Sequence, residues 1–278
     1  MPLIHHTYGK GRVRVMRVHR VGDYNEVRDL SVKTMLEGAF AASWTEGDNR
    51  SIVATDTIKN ITNIVARENL QACPEAFGQA LAARFLDRYP QAARVHVTMT
   101  ETRWRRAAFG GTPHPHSFVL DGSGRPTAEV TATREAVQVV SGVAGYTFMK
   151  STASGWENFV ADEYTTLPPT HDRIAATAMD ASWTWLRAPA DYEAANATVM
   201  ATMLEVFATT YSKGVQDSLF RMGEAALAAV PELATVRMAC PNMHYIPVRL
   251  DGFGLSSDNA VFTATDEPHG QIECTVGR

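Results

Sequence analysis

Apolar and polar positions change period several times along this 278-residue chain, and the order of the changes repeats. Val13 and Val15 alternate with Arg12 and Arg14; after a turn at Gly22-Asp23, Leu30, Val32, Thr34 and Leu36 alternate again. A period of two sends successive side chains to opposite faces of an extended backbone, so these stretches predict two paired strands. By the same parity Lys10 falls with Arg12 and Arg14, on the face away from Val13 and Val15. Ile58, Ile61, Ile64 and Val65 then recur at helical spacing, and beyond Pro74 the residues Phe77, Leu81, Phe85 and Tyr89 fall every fourth position, which predicts two amphipathic helices. Alternation returns at Val95, Val97 and Met99, continues through Thr102 and Trp104, and reappears from Ala128 to Val140. Between these stretches Asp121-Gly122-Ser123-Gly124 reads as a hairpin-type turn.

The second half runs through the same order with little sequence identity. Strands are expected around Val143 to Lys150 and Arg173 to Leu186. Two helices follow, the first with Met200, Met203, Leu204, Phe207 and Tyr211 on one face, the second with Leu219, Met222 and Leu227. A methionine-rich face at this spacing reads as core rather than as a cofactor box. Alternation resumes at Val236, Met238 and Cys240, and a last strand is expected around Ala260 to Thr265.

The fold class is therefore α+β, with two tandem domains at 1–137 and 138–278. Each is expected to be an antiparallel sheet with two helices on one face. The uncovered face and the sheet edges need a partner, and closure into a barrel by self-association would supply it.

Charge narrows the possible partners. The chain carries 26 basic and 30 acidic residues with no Lys/Arg-rich block, so bulk attraction to nucleic acid or to an anionic membrane is not expected. Cys73, Cys240 and Cys274 are far apart and lack CxxC or CxxH spacing, which suits a reducing compartment and carries no metal signature. No apolar run approaches a membrane span, and Met1 to Lys10 lacks the hydrophobic stretch of a signal peptide. A soluble, intracellular protein is expected.

Three stretches could carry chemistry. In Ser51–Asn60 an apolar run stops at Thr55-Asp56, where a helical pattern begins; a helix start offers unpaired N–H groups and a partial positive charge to an anionic or carbonyl-bearing ligand, although Thr55 or Asp56 could equally serve as a plain N-cap. Pro241 interrupts a strand pattern, and in an extended backbone Asn242 and His244 beyond it would share a face, an amide beside an imidazole suited to acid/base work or to a satisfied structural role. His114-Pro115-His116 reads as a loop stiffened by Pro113 and Pro115 rather than as a metal site, because no third ligand stands at suitable spacing. GxGxxG, P-loop, GxSxG and HExxH patterns are absent, so nucleotide-phosphate chemistry and serine hydrolysis lose support.

Seven short stretches, in order, resemble the urate oxidase (uricase) family: Tyr8-Gly9-Lys10, Val53-Ala54-Thr55-Asp56, His114-Pro115-His116-Ser117-Phe118, Asp162-Glu163-Tyr164-Thr165-Thr166-Leu167, Val215-Gln216, Pro241-Asn242-Met243-His244-Tyr245 and Cys274-Thr275-Val276-Gly277-Arg278. The resemblance covers essentially the full length. It implies two tunnelling-fold (T-fold) domains per subunit, a homotetramer whose sheets close into barrels, and active sites between subunits. It also implies oxidation of urate by O₂ to 5-hydroxyisourate and hydrogen peroxide with no metal and no cofactor. Residue by residue, it implies that Lys10, Thr55 and His244 form a proton relay and that Arg173 and Gln216 clamp the urate ring, aided by the backbone amides of Val215 and Asp56. Asn242 with Thr55 would hold O₂, peroxide or water above the ring. A planar anion with carbonyl and N–H edges is well matched by a guanidinium fork and a carboxamide.

Two positions depart from the family pattern. Trp156 stands where the family carries a phenylalanine that stacks on substrate, and indole stacks at least as well. The chain ends in Val276-Gly277-Arg278 rather than a Ser-Lys-Leu-type peroxisomal address, which points to a bacterial-type cytoplasmic enzyme. Apart from the resemblance, Lys10 reads as a solvated strand end and Arg173 as a surface salt-bridge partner. A purine carrier that binds without oxidising, and a zinc-dependent T-fold enzyme acting on a purine or pterin, remain the competing classes.

Overall fold

The computed structural model describes residues 1–278, apart from the side chain of Asp266. The chain forms two compact units, Met1–Gly142 and Val143–Arg278.

In the first unit β1 (Tyr8–Val21) and β2 (Tyr24–Gly38) precede a single helical turn, α1 (Ala42–Thr45), and two longer helices, α2 (Thr55–Glu68) and α3 (Pro74–Arg88). Then come β3 (Ala92–Thr102), β4 (Trp104–Phe109), β5 (Thr112–Leu120) and β6 (Arg125–Ala132). The main sheet has the order β1-β2-β3-β6 with every pairing antiparallel. Alternation explains its core: Leu30, Val32, Val95, Val97 and Val130 are fully buried, together with Ile58 of α2 and Phe77, Leu81 and Phe85 of α3. Helix α3 starts with Pro74 at a position where the missing N–H costs nothing, and its N-cap residue Cys73 accepts the Ala76 N–H through sulfur at 3.5 Å.

Strand β7 (Val137–Lys150) leads into the second unit, which continues with β8 (Ala175–Trp185), α4 (Tyr192–Thr209), α5 (Val215–Ala229), β9 (Leu233–Pro247) and β10 (Phe262–Gly277). The sheet order is β7-β8-β9-β10, so the strand-strand-helix-helix-strand-strand plan of the first unit recurs. Asp191 caps α4 by accepting the N–H groups of Glu193 and Ala194. Trp183, Met179, Met203, Leu219, Met222, Val236 and Met238 form the core; of the α4 face expected to be core, Met203 and Phe207 are buried, Met200 and Leu204 half-buried and Tyr211 exposed.

The structure corrects four local expectations. The stretch from Ala128 to Val140 is two strands, broken by a turn in which the Thr133 N–H donates to Ala136 O. His114-Pro115-His116 lies in β5, not in a loop; β4 and β5 form a separate ribbon joined at Gly110-Gly111, both with positive φ, and prolines are tolerated in such a two-stranded edge. The last strand starts near the expected place but runs on to Gly277.

The fourth correction concerns Lys10. Strand β1 reaches back to Tyr8, but its register shifts between Lys10 and Val13: Lys10 pairs with Thr34, and Val13 with Val32. One extra residue is accommodated in β1 there, with Arg12 in the left-handed region at φ 55°. The bulge reverses the parity. Directly opposed residues share a face, so Lys10 stands with Thr34, Val32 and Val13 on the helix-covered side rather than the outer one.

Candidate functional site

Of the nine residues singled out in the sequence, Lys10, Thr55 and Asp56 belong to the first unit and the other six to the second.

In the first unit the site is built around the entry to α2. Ala54 is the N-cap residue and no side chain caps the helix, so Thr55 and Asp56 occupy its first turn and neither is the plain N-cap weighed above. The first-turn N–H groups therefore lack helix-internal acceptors. The Asp56 carboxylate turns along the helix instead, to Lys59 Nζ at 2.5 Å and Asn60 Nδ2 at 3.1 Å. That ion pair with Lys59 holds the carboxyl below its usual range, and the Lys10 ammonium adds to the effect. Lys10, half-buried, thus acts electrostatically on the first turn of α2, where the exposed Thr55 hydroxyl sits. Beneath Lys10 the Thr34 hydroxyl is buried and has no hydrogen-bond partner. Tyr8, two residues before Lys10, accepts the Val53 N–H on its hydroxyl at 2.8 Å, and its ring meets Phe40 edge-on. Burial pushes the Tyr8 phenol upward, so it stays neutral.

In the second unit three irregular segments are laced together by main-chain bonds. Gly155 N–H donates to Ser212 O at 2.8 Å and Ser212 N–H to Ala153 O at 3.0 Å; Trp156 and Thr170 exchange both N–H···O bonds, and Arg173 N–H donates to Ser154 O at 2.8 Å. The Tyr211 hydroxyl adds a bond to His171 O at 2.8 Å. This lacing brings Trp156, Arg173 and the start of α5 into one place. A Cβ on Gly155 would lie 2.2 Å from the Tyr211 hydroxyl, and one on Gly214 would lie 2.8 Å from Trp156 Cζ3 and 3.3 Å from Gln216 Oε1. The absence of side chains at these two positions therefore lets the segments, the indole and the Gln216 amide approach.

Helix α5 resembles α2 at its start: Gly214 is its N-cap, no side chain caps it, and Val215 and Gln216 form the first turn. Strand β9 runs through Pro241 in unbroken register with β8 as far as Met243, so Asn242 and His244 extend the inward-facing row Val236, Met238 and Cys240. A cleft of about 370 Å³ is lined by Trp156, Arg173, Asn242 and His244 together with Leu167 and Tyr245. Asn242 also borders a small apolar cavity that Val215 lines from the other side.

Arg173 is the cationic side chain of the cleft wall, which Asp172 also lines. Its guanidinium carbon lies 5.9 Å from the Trp156 ring, its Nε is buried without an acceptor, and burial lowers its pKa. Among the described residues no carboxylate pairs with it, which removes the reading of Arg173 as a surface salt-bridge partner. A half-buried cation beside an indole, with amide and imidazole groups on the facing strand, can receive a planar anion by charge, stacking and hydrogen bonding together. Trp156 also lies nearly parallel to Phe159, at 12° and 5.9 Å between ring centroids. Among the described residues no group of three or more His, Cys, Asp or Glu side chains is arranged to hold a metal ion. No helix among them is long and apolar enough to cross a membrane.

Sequence reasoning missed the Tyr8–Val53 hydrogen bond, the Thr170 and Tyr211 lacing, and Leu167 and Tyr245 as cleft walls. Gly155 and Gly214, each next to a singled-out residue, were the available signal.

Comparison with known proteins gives a consistent result. The family model described as Uricase matches residues 6–131 and 139–273. A uricase of Aspergillus flavus is 37% identical over 287 aligned residues, covering 98% of this chain and 95% of that protein. A uricase of Arthrobacter globiformis is 36% identical over 271, covering 98% and 88%. The crystal structure of uricase from Arthrobacter globiformis superposes with a TM-score of 0.94 at 35% identity, over 100% of this chain and 95% of that one.

Proposed function

This chain belongs to the uricase family and has its T-fold architecture, and from that footing we propose that it oxidises urate with O₂ by way of the residues described above. The observation that carries the reading is the Arg173 guanidinium, half-buried without an anionic partner beside Trp156 in a cleft that Asn242 and His244 also line. The balanced reaction consumes urate, O₂ and one water and yields 5-hydroxyisourate and hydrogen peroxide.

In this reading Arg173 and the Gln216 amide take two edges of the urate anion, Trp156 stacks on its face, and the Val215 and Asp56 backbone N–H groups complete the hydrogen bonding. An electron-rich, deprotonated urate can pass an electron to O₂ directly. The protein's task is then to remove a proton, orient the ring and keep bulk water out, with no cofactor required. Lys10 beside Thr55 lowers the proton affinity of the hydroxyl, and Thr55 exchanges a proton with His244. Asn242 and Thr55 hold O₂, peroxide or the incoming water above the ring.

Following the family resemblance, the reading includes a homotetramer with barrels closed between chains. In it, the Lys10 group of one chain faces the Arg173 group of another. The test is to add urate to chelator-treated protein in air-saturated buffer and follow the urate ultraviolet band together with peroxide. Loss of urate matched by peroxide is expected; binding without oxidation would sustain the carrier alternative. Thr55→Ala and Lys10→Met should each cut turnover greatly while the fold survives. Mixing Lys10→Met chains with Arg173→Met chains under exchanging conditions should restore part of the activity, and a fully active monomer would overturn the shared site.

A further inference from the structure

We propose that Tyr8 is a positioning residue for the oxidation, a tether that fixes the distance between Lys10 on β1 and Thr55 on α2. The inference rests on the relay reading above and adds a residue to it.

One hydrogen bond links the two elements at a telling place. The Tyr8 hydroxyl accepts the Val53 N–H at 2.8 Å; Tyr8 lies two residues before Lys10, and Val53 two residues before Thr55. Val53 packs into the core, but few other polar restraints hold this entry to α2. Ala54 provides no side-chain cap, the Asp56 carboxylate is engaged along the helix by Lys59 and Asn60, and Thr55 itself is exposed. Two further bonds hold the turn upstream: Gln91 Nε2 donates to Ser51 O at 2.9 Å and Ile52 N–H to Asn49 O at 3.0 Å. Between Val53 and the first helical bond, Ile58 N–H to Ala54 O, the tether is therefore the hydrogen bond, among the described residues, that ties the turn to β1.

The tether is itself held. The Tyr8 ring packs edge-on against Phe40 at 5.0 Å and against Trp44 at 5.9 Å, with Phe40 fully buried. On the strand side, the bulge after Lys10 sets it on the helix-covered face, and its ammonium acts on Asp56 at the same helix start. A relay between an amine and a hydroxyl depends steeply on their separation, and a displacement of about 1 Å costs up to about 100-fold in rate. Tyr8 does not touch the reacting atoms; it sets where two groups that do so stand.

The test compares intact assembled Tyr8→Phe with wild type. Phenylalanine keeps the ring contacts and removes only the acceptor. The expected result is a fall in kcat of about 10- to 100-fold, a smaller rise in KM for urate because the Asp56 N–H moves with α2 while Arg173 and Gln216 stay in place, and a displaced pH midpoint of kcat. A backbone ester at Val53, made by incorporating the α-hydroxy analogue of valine, removes the donor instead and should reproduce these changes. It also decides the matter if Tyr8→Phe does not fold. Trp44→Leu, which loosens the ring packing but keeps the bond, should lower Tm while leaving kcat and its pH midpoint in place. Wild-type kcat with an unmoved pH midpoint in either bond-deleting variant overturns the assignment, even if Tm falls, because the bond would then be structural only. Trp44→Leu moving the midpoint equally would overturn it too. Failure of the wild-type protein to consume urate would instead sink the relay reading beneath it.

Discussion

Replacing Arg173 by methionine should separate function from stability. In the free protein this guanidinium is half-buried, with Nε lacking an acceptor and with burial lowering its pKa, so folding has already stripped part of its water without compensation. Hydrogen bonds to a charged group contribute about 1.5–3 kcal/mol each, and a fork offers two, so losing it removes about 3–6 kcal/mol of interaction with an anionic ring. At about 1.4 kcal/mol per tenfold, kcat/KM for urate should drop roughly 10²- to 10⁴-fold. The same substitution removes an unpaired, partly desolvated cation. The unliganded protein should therefore keep its stability or gain up to about 1 kcal/mol, the gain being limited because solvent still reaches the group. Arg173→Lys keeps charge without the planar fork and should fall between. The assay pairs steady-state urate consumption with thermal unfolding of the ligand-free protein. A drop in kcat/KM below about tenfold, or a loss of Tm as large as that of a core truncation, would refute the reasoning.

Three more outcomes follow from the geometry. Gly214→Ala puts a Cβ 2.8 Å from Trp156 Cζ3 and should cost about 1–3 kcal/mol of stability while raising KM; Trp156→Phe, which removes those ring atoms, should restore much of both in the double mutant. The Cys240 thiol, pushed up to about 12 chiefly by burial, should resist alkylation at pH 8 in the folded protein and react once the chain is unfolded, whereas a rapidly labelled native Cys240 would contradict its burial. Its folded pKa lies above the unfolded value near 9.0, so the contribution is complete below about pH 9 and is lost as pH rises toward 12; chemical denaturation across that window should show stability falling, less steeply in Cys240→Ala.

How far the sequence could be read depended on whether a feature is local. Changes of period from two to about 3.6 are local, so the doubled strand-strand-helix-helix-strand-strand plan was visible, as was the burial of Met203 and Phe207 on α4. The β4–β5 ribbon was missed because Pro113 and Pro115 masked a strand, although Gly110-Gly111 marked its turn. The facing of Lys10 was misread because an arginine, not a glycine, takes the positive φ that shifts the register. The lacing of 153–156, 170–173 and 211–214 leaves little trace, since main-chain bonds between distant segments impose no side-chain pattern. Pro241 looked like an interruption, yet β9 runs through it and carries Asn242 and His244 inward together.

The extra residue in β1 has an evolutionary and engineering consequence. With Arg12 at φ 55°, glycine would be easier on the backbone there, so Arg12→Gly should be tolerated or stabilising by up to about 1 kcal/mol. Deleting residue 12 changes no side chain with a proposed chemical part and removes the bulge: with one residue left between them, Lys10 and Val13 share parity, so regular pairing still sets Lys10 opposite Thr34 on the helix-covered side. What must be inherited at this point is the facing of Lys10 rather than the identity of residue 12. Homologues and designed variants should therefore drift freely in composition between Lys10 and Val13, carrying either two residues with a bulge or one residue without it.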